Sequence, residues 1–521
     1  MVLNTHMNSW IVLKSKTAVG FFRAYLRRFS DDTVVLLLCL ACSSILLTGI
    51  VSNFRLLVVA TFILAFLLYL KINNLLVVSV LVSLFSLQFF NPNKYYTLEV
   101  IRGFNLALPE LKNGYYLGYG VHVADIFFLL LSLSILGSFF MSSDVRKLLN
   151  IKVILTTLIS LSMYYYISAL SSIKYSPFAV ASIIWLLQYG RLVLIFLAVL
   201  ICTKTYKNFI VLIKRVIQSI VLTQFVVGLL QFSKKSALEL PIEFSKGASF
   251  YTGLDESNLF FRISGTFLYH NQLGLIIGIL LPILLFFRSK KEGQKSFDIV
   301  IIVLSCMLIL FTQSRVAWIG LIAIAVQYVL VNKKEIANKW HHSRGKYTFW
   351  FRLILLSLVF SPIIVTRLQL SVNTIYQGAG LSIRLRMIKE ASEALLYSPW
   401  IGYGVGTNEI VLFSLFPQGT MSVFPAAIHF APVQILLESG VLGLIFLTAP
   451  FLFFFRYAVS RFNSKKLSIS SGKYLHASLA SAIFFSIYYL LQPHVGIVEF
   501  AFLGLVLSFG VIGYNLAQNN A

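Results

Sequence analysis

The 521-residue sequence is short of charge, and above all of negative charge. Charged residues make up 12% of it, about half the share in an ordinary soluble domain. Only 18 Asp and Glu stand against 43 Lys and Arg. A soluble fold has too few charges available here, which leaves the membrane. Acidic pairs such as Asp-x-Asp at a span end are absent, and no His/Cys cluster has metal-ligand spacing. Neither a metal nor a cofactor is called for. The four cysteines, Cys39, Cys42, Cys202 and Cys306, all sit in apolar runs, where they act as small hydrophobes and imply no disulfide framework. A soluble domain, a low-complexity tract and a clear internal repeat are also missing. Residues 10–29 mix Lys and Arg with aromatics and lack the continuous apolar core of a cleavable signal peptide.

What is present is apolar sequence, 58% of the chain. Runs of about 18 residues or more recur throughout, the mark of a polytopic all-α membrane protein rather than a barrel of short alternating strands. About 14 spans (12 to 14) are expected, near 33–51, 55–70, 74–90, 123–141, 152–172, 179–202, 209–231, 266–287, 297–313, 315–331, 349–366, 429–457, 474–492 and 496–516. The expected organisation is a basic amphipathic N-terminus at 1–32 lying on the cytoplasmic surface, a single transmembrane domain at 33–516, and a large extracytoplasmic loop at 367–428 within it.

The net charge of +25 would suggest nucleic acid in a soluble protein. Here the positive residues gather in alternate loops, as the positive-inside rule expects, so no nucleic-acid partner is implied. The rule places both termini in the cytoplasm. It places the loops 91–122, 232–265 and 367–428 outside, together with the short connection Thr312–Arg315. An outward-facing site has no ready supply of nucleotide sugar or ATP. A lipid-linked substrate fits it better.

The polar residues that remain concentrate on that side. Arg315 opens a span; it either snorkels to lipid headgroups or binds an anion inside the bundle. Arg384 and Arg386 begin an amphipathic segment with an apolar stripe expected at Leu385, Ile388, Ala391 and Leu395, ending before Pro399. Arg384 is an interfacial anchor or an anion ligand. Gly402, Gly404 and Gly406 follow; without a βαβ unit around them they read as close backbone packing, not a nucleotide loop. His429 opens a span, as a structural or a catalytic histidine. At about 100° per residue, Gly440 and Gly443 fall within roughly 40° of its face, a smooth strip for another helix. Glu438, inside the span on the opposite face, is functional or paired. Arg191 is a charge within a span, Asp125 opens another, His494 lies in the last outer loop, and Arg262, His270 and Asn271 flank the start of the span at 266–287. Arginine forks suit phosphate oxygens, and histidine suits proton transfer near neutral pH.

The order and spacing of these motifs resemble the O-antigen ligase/O-antigen polymerase family of bacterial membrane glycosyltransferases. Arg262-x-x-Gly265-Thr266-Phe267 with Asn271 comes first, then Ser314-Arg315, then Arg384 fifteen residues before Pro399 with Gly402-x-Gly404, then His429 with Gly440-x-x-Gly443-Leu444. The resemblance spans roughly residues 180–460. It implies a GT-C-like helical scaffold in the bacterial inner membrane and a metal-independent transfer. A glycan would pass from undecaprenyl diphosphate to an acceptor hydroxyl on a glycan, lipid A-core or protein. It implies that Arg315 and Arg384 bind the diphosphate and that His429 orients or deprotonates the acceptor, with Arg262, Arg386, Asn271, Glu438 and Arg191 as further substrate-binding candidates. Two positions depart from the family: Phe430 stands where Asn or Ser often follows the histidine, and Tyr269-His270-Asn271 replaces a frequent His-Pro-Asn, so His270 has no assigned role. Ligase, polymerase and protein oligosaccharyltransferase differ only in acceptor and are left open. The alternative class is a lipid-linked glycan flippase or polysaccharide transporter, which calls for polar residues strung through the spans; few are present.

Overall fold

The computed structural model describes residues 29–47, 54–89, 123–149, 151–176, 179–238, 251–252, 260–267, 270–332, 381–423, 428, 430–461, 469–491 and 497–518. In chain order the helices are α1 (Asp31–Leu47), α2 (Phe54–Ile72), α3 (Leu75–Ser86), α4 (Val123–Met141), α5 (Ser143–Leu149), α6 (Lys152–Tyr175), α7 (Ala179–Tyr189), α8 (Arg191–Thr205) and α9 (Phe209–Lys234). They continue with α10 (His270–Phe286), α11 (Glu292–Phe311), α12 (Arg315–Val331), α13 (Leu381–Leu395), α14 (Asn408–Leu415), α15 (Thr420–Val423), α16 (Ala431–Arg461), α17 (Ile469–Leu491) and α18 (Ile497–Gln518). The one sheet among these residues is a two-residue antiparallel ladder, β1 (Tyr251–Thr252) on β2 (Phe260–Phe261).

Seven helical stretches among the described residues are long and apolar enough to cross a membrane, and four shorter apolar helices accompany them. The chain is therefore a polytopic helical membrane protein, as its sequence predicts. The expected span at 349–366 and the N-terminal segment at 10–29 lie outside the described residues.

Position in the bundle follows from which faces are apolar. Over its apolar stretch, α18 is 83% buried, and it packs between α8 and α17. A helix apolar all round belongs in such an interior. α4 shows the opposite, exposing Leu129, Leu133, Leu136 and Phe140 at helical spacing. That is the face a lipid-exposed helix presents. Small residues set the closest approaches. On α10 and α12, Gly278 and Gly320 both face the Phe484 ring of α17, and a Cβ on either would stand 2.5 Å or less from it.

Two expected spans are broken. The run 179–202 is two helices, α7 and α8, separated at Gly190. The Tyr189 carbonyl released at the break accepts a hydrogen bond from the Tyr165 hydroxyl at 2.6 Å. α16 is interrupted at Gly440 (φ 67°, ψ −175°). The expected smooth glycine strip is thus corrected: Gly440 is itself non-helical, so it and Gly443 do not share one continuous helical face. Gly440 meets the backbone of Trp400, while Gly443 lies by Ser439 and near Tyr164 of α6.

Candidate active site

The segment Pro399–Gly404 fills the break in α16. Val441 N donates to Pro399 O (2.9 Å) and Leu442 N to Trp400 O (3.2 Å). Tyr403 N donates to Leu437 O (2.9 Å) and Gly404 N to Glu438 O (2.8 Å). Backbone groups freed by the interruption are thereby paired inside protein, which a bilayer requires. Only glycine fits at the two crossing points. Gly402 (φ +70°) and Gly440 (φ +67°) each stand where a Cβ would overlap the other strand's backbone. The glycines of this turn serve close packing, as expected. Through them α13, which carries Arg384, is fastened to α16, whose chain follows directly from His429.

On α13 the buried face is rotated slightly from the expected stripe: Ala391 is common to both and Ile388 and Leu395 are half-buried, but Leu385 is not covered. Met387, Ala391 and Ala394 are fully buried against Leu412, Met421, Ile428 and Leu437, with Ile383 partly so. Leu385 is 58% exposed. The difference arises because α13 packs on α14, α15 and α16 rather than lying free on a surface, and these partners select the stripe.

Arg384, half-buried near the start of α13, lies within electrostatic reach of Arg315; burial first and that neighbouring cation second push its guanidinium below the ordinary arginine range. Arg315 is the first residue of α12, directly after its N-cap Ser314, whose side chain accepts from Ala317 N. α11 ends at Phe311, so the tight corner expected at Thr312–Arg315 is present. Arg315, exposed at the head of α12, and the half-buried Arg384 are thus close enough for like-charge repulsion, which an incoming anion would relieve.

The loop bearing Arg262 docks on the same corner. Gln313 Nε2 donates to Phe261 O (3.0 Å) and Ile263 N to Phe311 O (3.4 Å). Arg262 Nη1 meets His270 Nε2 at 2.5 Å, so His270, left without a role by its motif, has a clear partner. Sequence gave no sign of this contact beyond the eight-residue separation. Asn271 follows it, half-buried in the first turn of α10.

His429 itself lies outside the described residues, but its neighbours do not. Ile428 N donates to Asn408 Oδ1 (3.4 Å), and Asn408 Nδ2 donates to Glu438 Oε1 (2.6 Å). Gln434 Nε2 reaches the same carboxylate oxygen at 3.2 Å. Glu438 is thus the paired kind of intramembrane acid, tying α14 to α16. On α13, Glu390 accepts from Thr420 N and Oγ1 (2.9 and 2.8 Å) and fixes α15. Asn408 and Glu390 were not singled out in the sequence: a neutral amide and a surface acid give no signal until their distant partners are known.

The remaining candidates stand apart. Arg386 is exposed, two residues and about 200° around α13 from Arg384. Arg191, at the α7–α8 break, is buried, salt-bridged to Asp125 and stacked over the Phe128 ring at 5.0 Å.

Residues 300–448 match the family described as O-antigen ligase. This O-antigen ligase domain supports the O-antigen ligase/polymerase family for the segment that carries it. No curated protein matches the chain. The family's general activity is glycan transfer. The O-antigen ligase domain is narrower than the 180–460 expected from the motifs. It takes in Arg315, Arg384, Arg386, His429, Glu438 and the Gly402–Gly440 crossing, and leaves Arg191, Arg262 and Asn271 outside.

Proposed function

We propose that the protein moves a glycan from a polyprenyl diphosphate carrier, undecaprenyl diphosphate in bacteria, to an acceptor hydroxyl on the outer face of the inner membrane. The observation that carries this reading is the pair of guanidiniums, Arg315 and Arg384, held within electrostatic reach of each other in an O-antigen ligase domain. The acceptor oxygen attacks the anomeric carbon, the bond from that carbon to the phosphate oxygen breaks, and the carrier diphosphate leaves with the electron pair. Arg315 and Arg384 stabilise that developing charge. His429 takes the acceptor proton or orients the hydroxyl. With two guanidiniums supplying the positive charge, transfer needs no metal, and EDTA should leave the rate unchanged.

Arg384→Ala and His429→Ala should each abolish transfer in vesicles while the protein stays inserted at normal levels. Near-normal transfer by either variant would remove the assigned mechanism. Deleting the gene and sizing the lipid-linked glycans separates the acceptors. Long unligated chains mean a ligase, and accumulated single repeat units on the outer face mean a polymerase. Single units trapped on the cytoplasmic face would instead mean a flippase.

A further inference from the structure

At the end of the bundle away from Arg315 and Arg384, the chain leaving α10 is clamped from two sides. Asp298 of α11 accepts from Ser289 N (2.6 Å), from Lys214 Nζ (2.9 Å) and from Gln218 Nε2 (2.7 Å), so its charge is spent. Lys214 also donates to Phe287 O (3.4 Å). On the other side the Phe287 ring packs on Tyr474 of α17 (ring centroids 4.9 Å apart) and on Phe509 of α18 (5.5 Å). The clamp brings the exit of α10, with Lys290, to the start of α17, where Lys473 precedes Tyr474.

Lys473 is half-buried, and the charges within its electrostatic reach are Lys290 and Lys214, both positive. Lys214 is answered by Asp298. The side chains of Lys473 and of the exposed Lys290 have neither an ion pair nor a hydrogen bond among the described residues. Glu292, the next acid along the chain, pairs with Lys295 (3.3 Å), and the first turn of α17 carries no acid to meet its N-terminal dipole. Partly burying an ammonium is costly, and a second ammonium beside it adds to the cost. One anion held between the two would offset both.

We propose that Lys473 and Lys290 form a binding site for a phosphate group, and that the headgroup of an anionic phospholipid fills it. From Lys473 to its end at Leu491, α17 rises about 27 Å, close to the thickness of the bilayer hydrocarbon, which sets Lys473 at headgroup level. The inference is independent of the glycan-transfer reading.

The test follows thermal unfolding of the full-length protein in detergent across a titration of each probe. The probes are a short-chain phosphatidylglycerol, a phosphatidylcholine of the same chain length, whose choline cancels the phosphate charge, and inorganic phosphate. Phosphatidylglycerol should raise the melting midpoint of the parent more than phosphatidylcholine does. Lys473→Gln and Lys290→Gln should each weaken phosphatidylglycerol binding about tenfold, the scale of one charge-assisted contact. Lys473→Arg keeps the charge and should stay within about threefold of the parent. Lys295→Gln removes a paired cation from the same end and should bind within about twofold. Without lipid, Lys473→Gln should melt at or above the parent, which separates a lost ligand from a lost fold. If inorganic phosphate matches phosphatidylglycerol and fails in the same two variants, the phosphate site stands and its assignment to a lipid is overturned. Equal shifts from the two lipids, parental binding by Lys473→Gln, or an equal loss in Lys295→Gln would overturn the site itself.

Discussion

Single residues divide here by whether their charge shows without a partner. Arg315 and Arg384 stand out in a chain so poor in charge, and Arg384 lies within electrostatic reach of Arg315. Asn408, Gln224 and Gln231 carry no charge and bond to residues 20 to 136 positions away. Nothing local marks them. Glu409 belongs with the second group. Burial, and then Glu438 beside it, pushes its carboxyl up to about 7 from an ordinary value near 4.5. The folded chain therefore holds this proton more tightly than the unfolded one. The stability it contributes is fully present below about 4.5 and is lost as pH rises through about 7. Glu409→Gln makes the neutral form permanent, so the variant should melt above the parent at pH 8 and close to it at pH 5. Thermal unfolding in detergent at both values checks this, and an equal difference at the two pH values would contradict it.

At the scale of elements, apolar length was readable and interruption was not. The runs 179–202 and 429–457 look continuous because glycine is common in membrane helices. What decides the breaks is a distant partner: Tyr165 for the carbonyl at Tyr189, and Pro399–Gly404 for the gap at Gly440. The stripe on α13 is shifted rather than replaced, with Ala391 kept and Leu385 left exposed, since helical period alone cannot tell how far around a neighbour will reach. The Gly440 crossing makes a sharp prediction. A Cβ there would stand 2.2 Å from the Trp400 carbonyl carbon at a φ of +67°. Gly440→Ala should cost about 2–5 kcal/mol from left-handed strain and overlap together. Gly137 on α4, with nothing within 4 Å of its would-be Cβ, is the control. Its change to Ala should be neutral or stabilising by up to about 1 kcal/mol. Denaturant titration of the two variants against the parent measures both, and equal effects would show that the crossing is not a constraint.

For the whole molecule, the membrane class is legible because composition alone carries it, and sidedness is a prediction from where charge can be tolerated. Three buried or half-buried ion pairs share one end of the bundle, Lys214 with Asp298 (2.9 Å), Arg215 with Asp32 (2.7 Å) and Lys71 with Asp31 (3.2 Å), while the Arg191–Asp125 pair stands apart at the starts of α8 and α4. The site arginines lie at the other, beyond the far ends of α9 and α11. Gln231, which clasps the Arg262 loop, is 17 residues along α9 from Lys214, or about 25 Å. The bilayer hydrocarbon is about 30 Å thick, so the two ends fall near its opposite faces. The positive-inside rule predicts that the Lys214 end is cytoplasmic. On the proposed function, a polyprenyl-linked donor would then meet the arginines from outside. Glu292, 85% exposed at the start of α11, and Glu393, 49% exposed on α13, report the two ends. Native thiols interfere little, because Cys39, Cys42 and Cys202 are buried and Cys306 is partly so. In intact spheroplasts a membrane-impermeant maleimide should label Glu393→Cys at once, and Glu292→Cys only after permeabilisation. The reverse pattern would invert the molecule, turn its arginines toward the cytoplasm, and make a nucleotide-activated donor the better fit to the same cations.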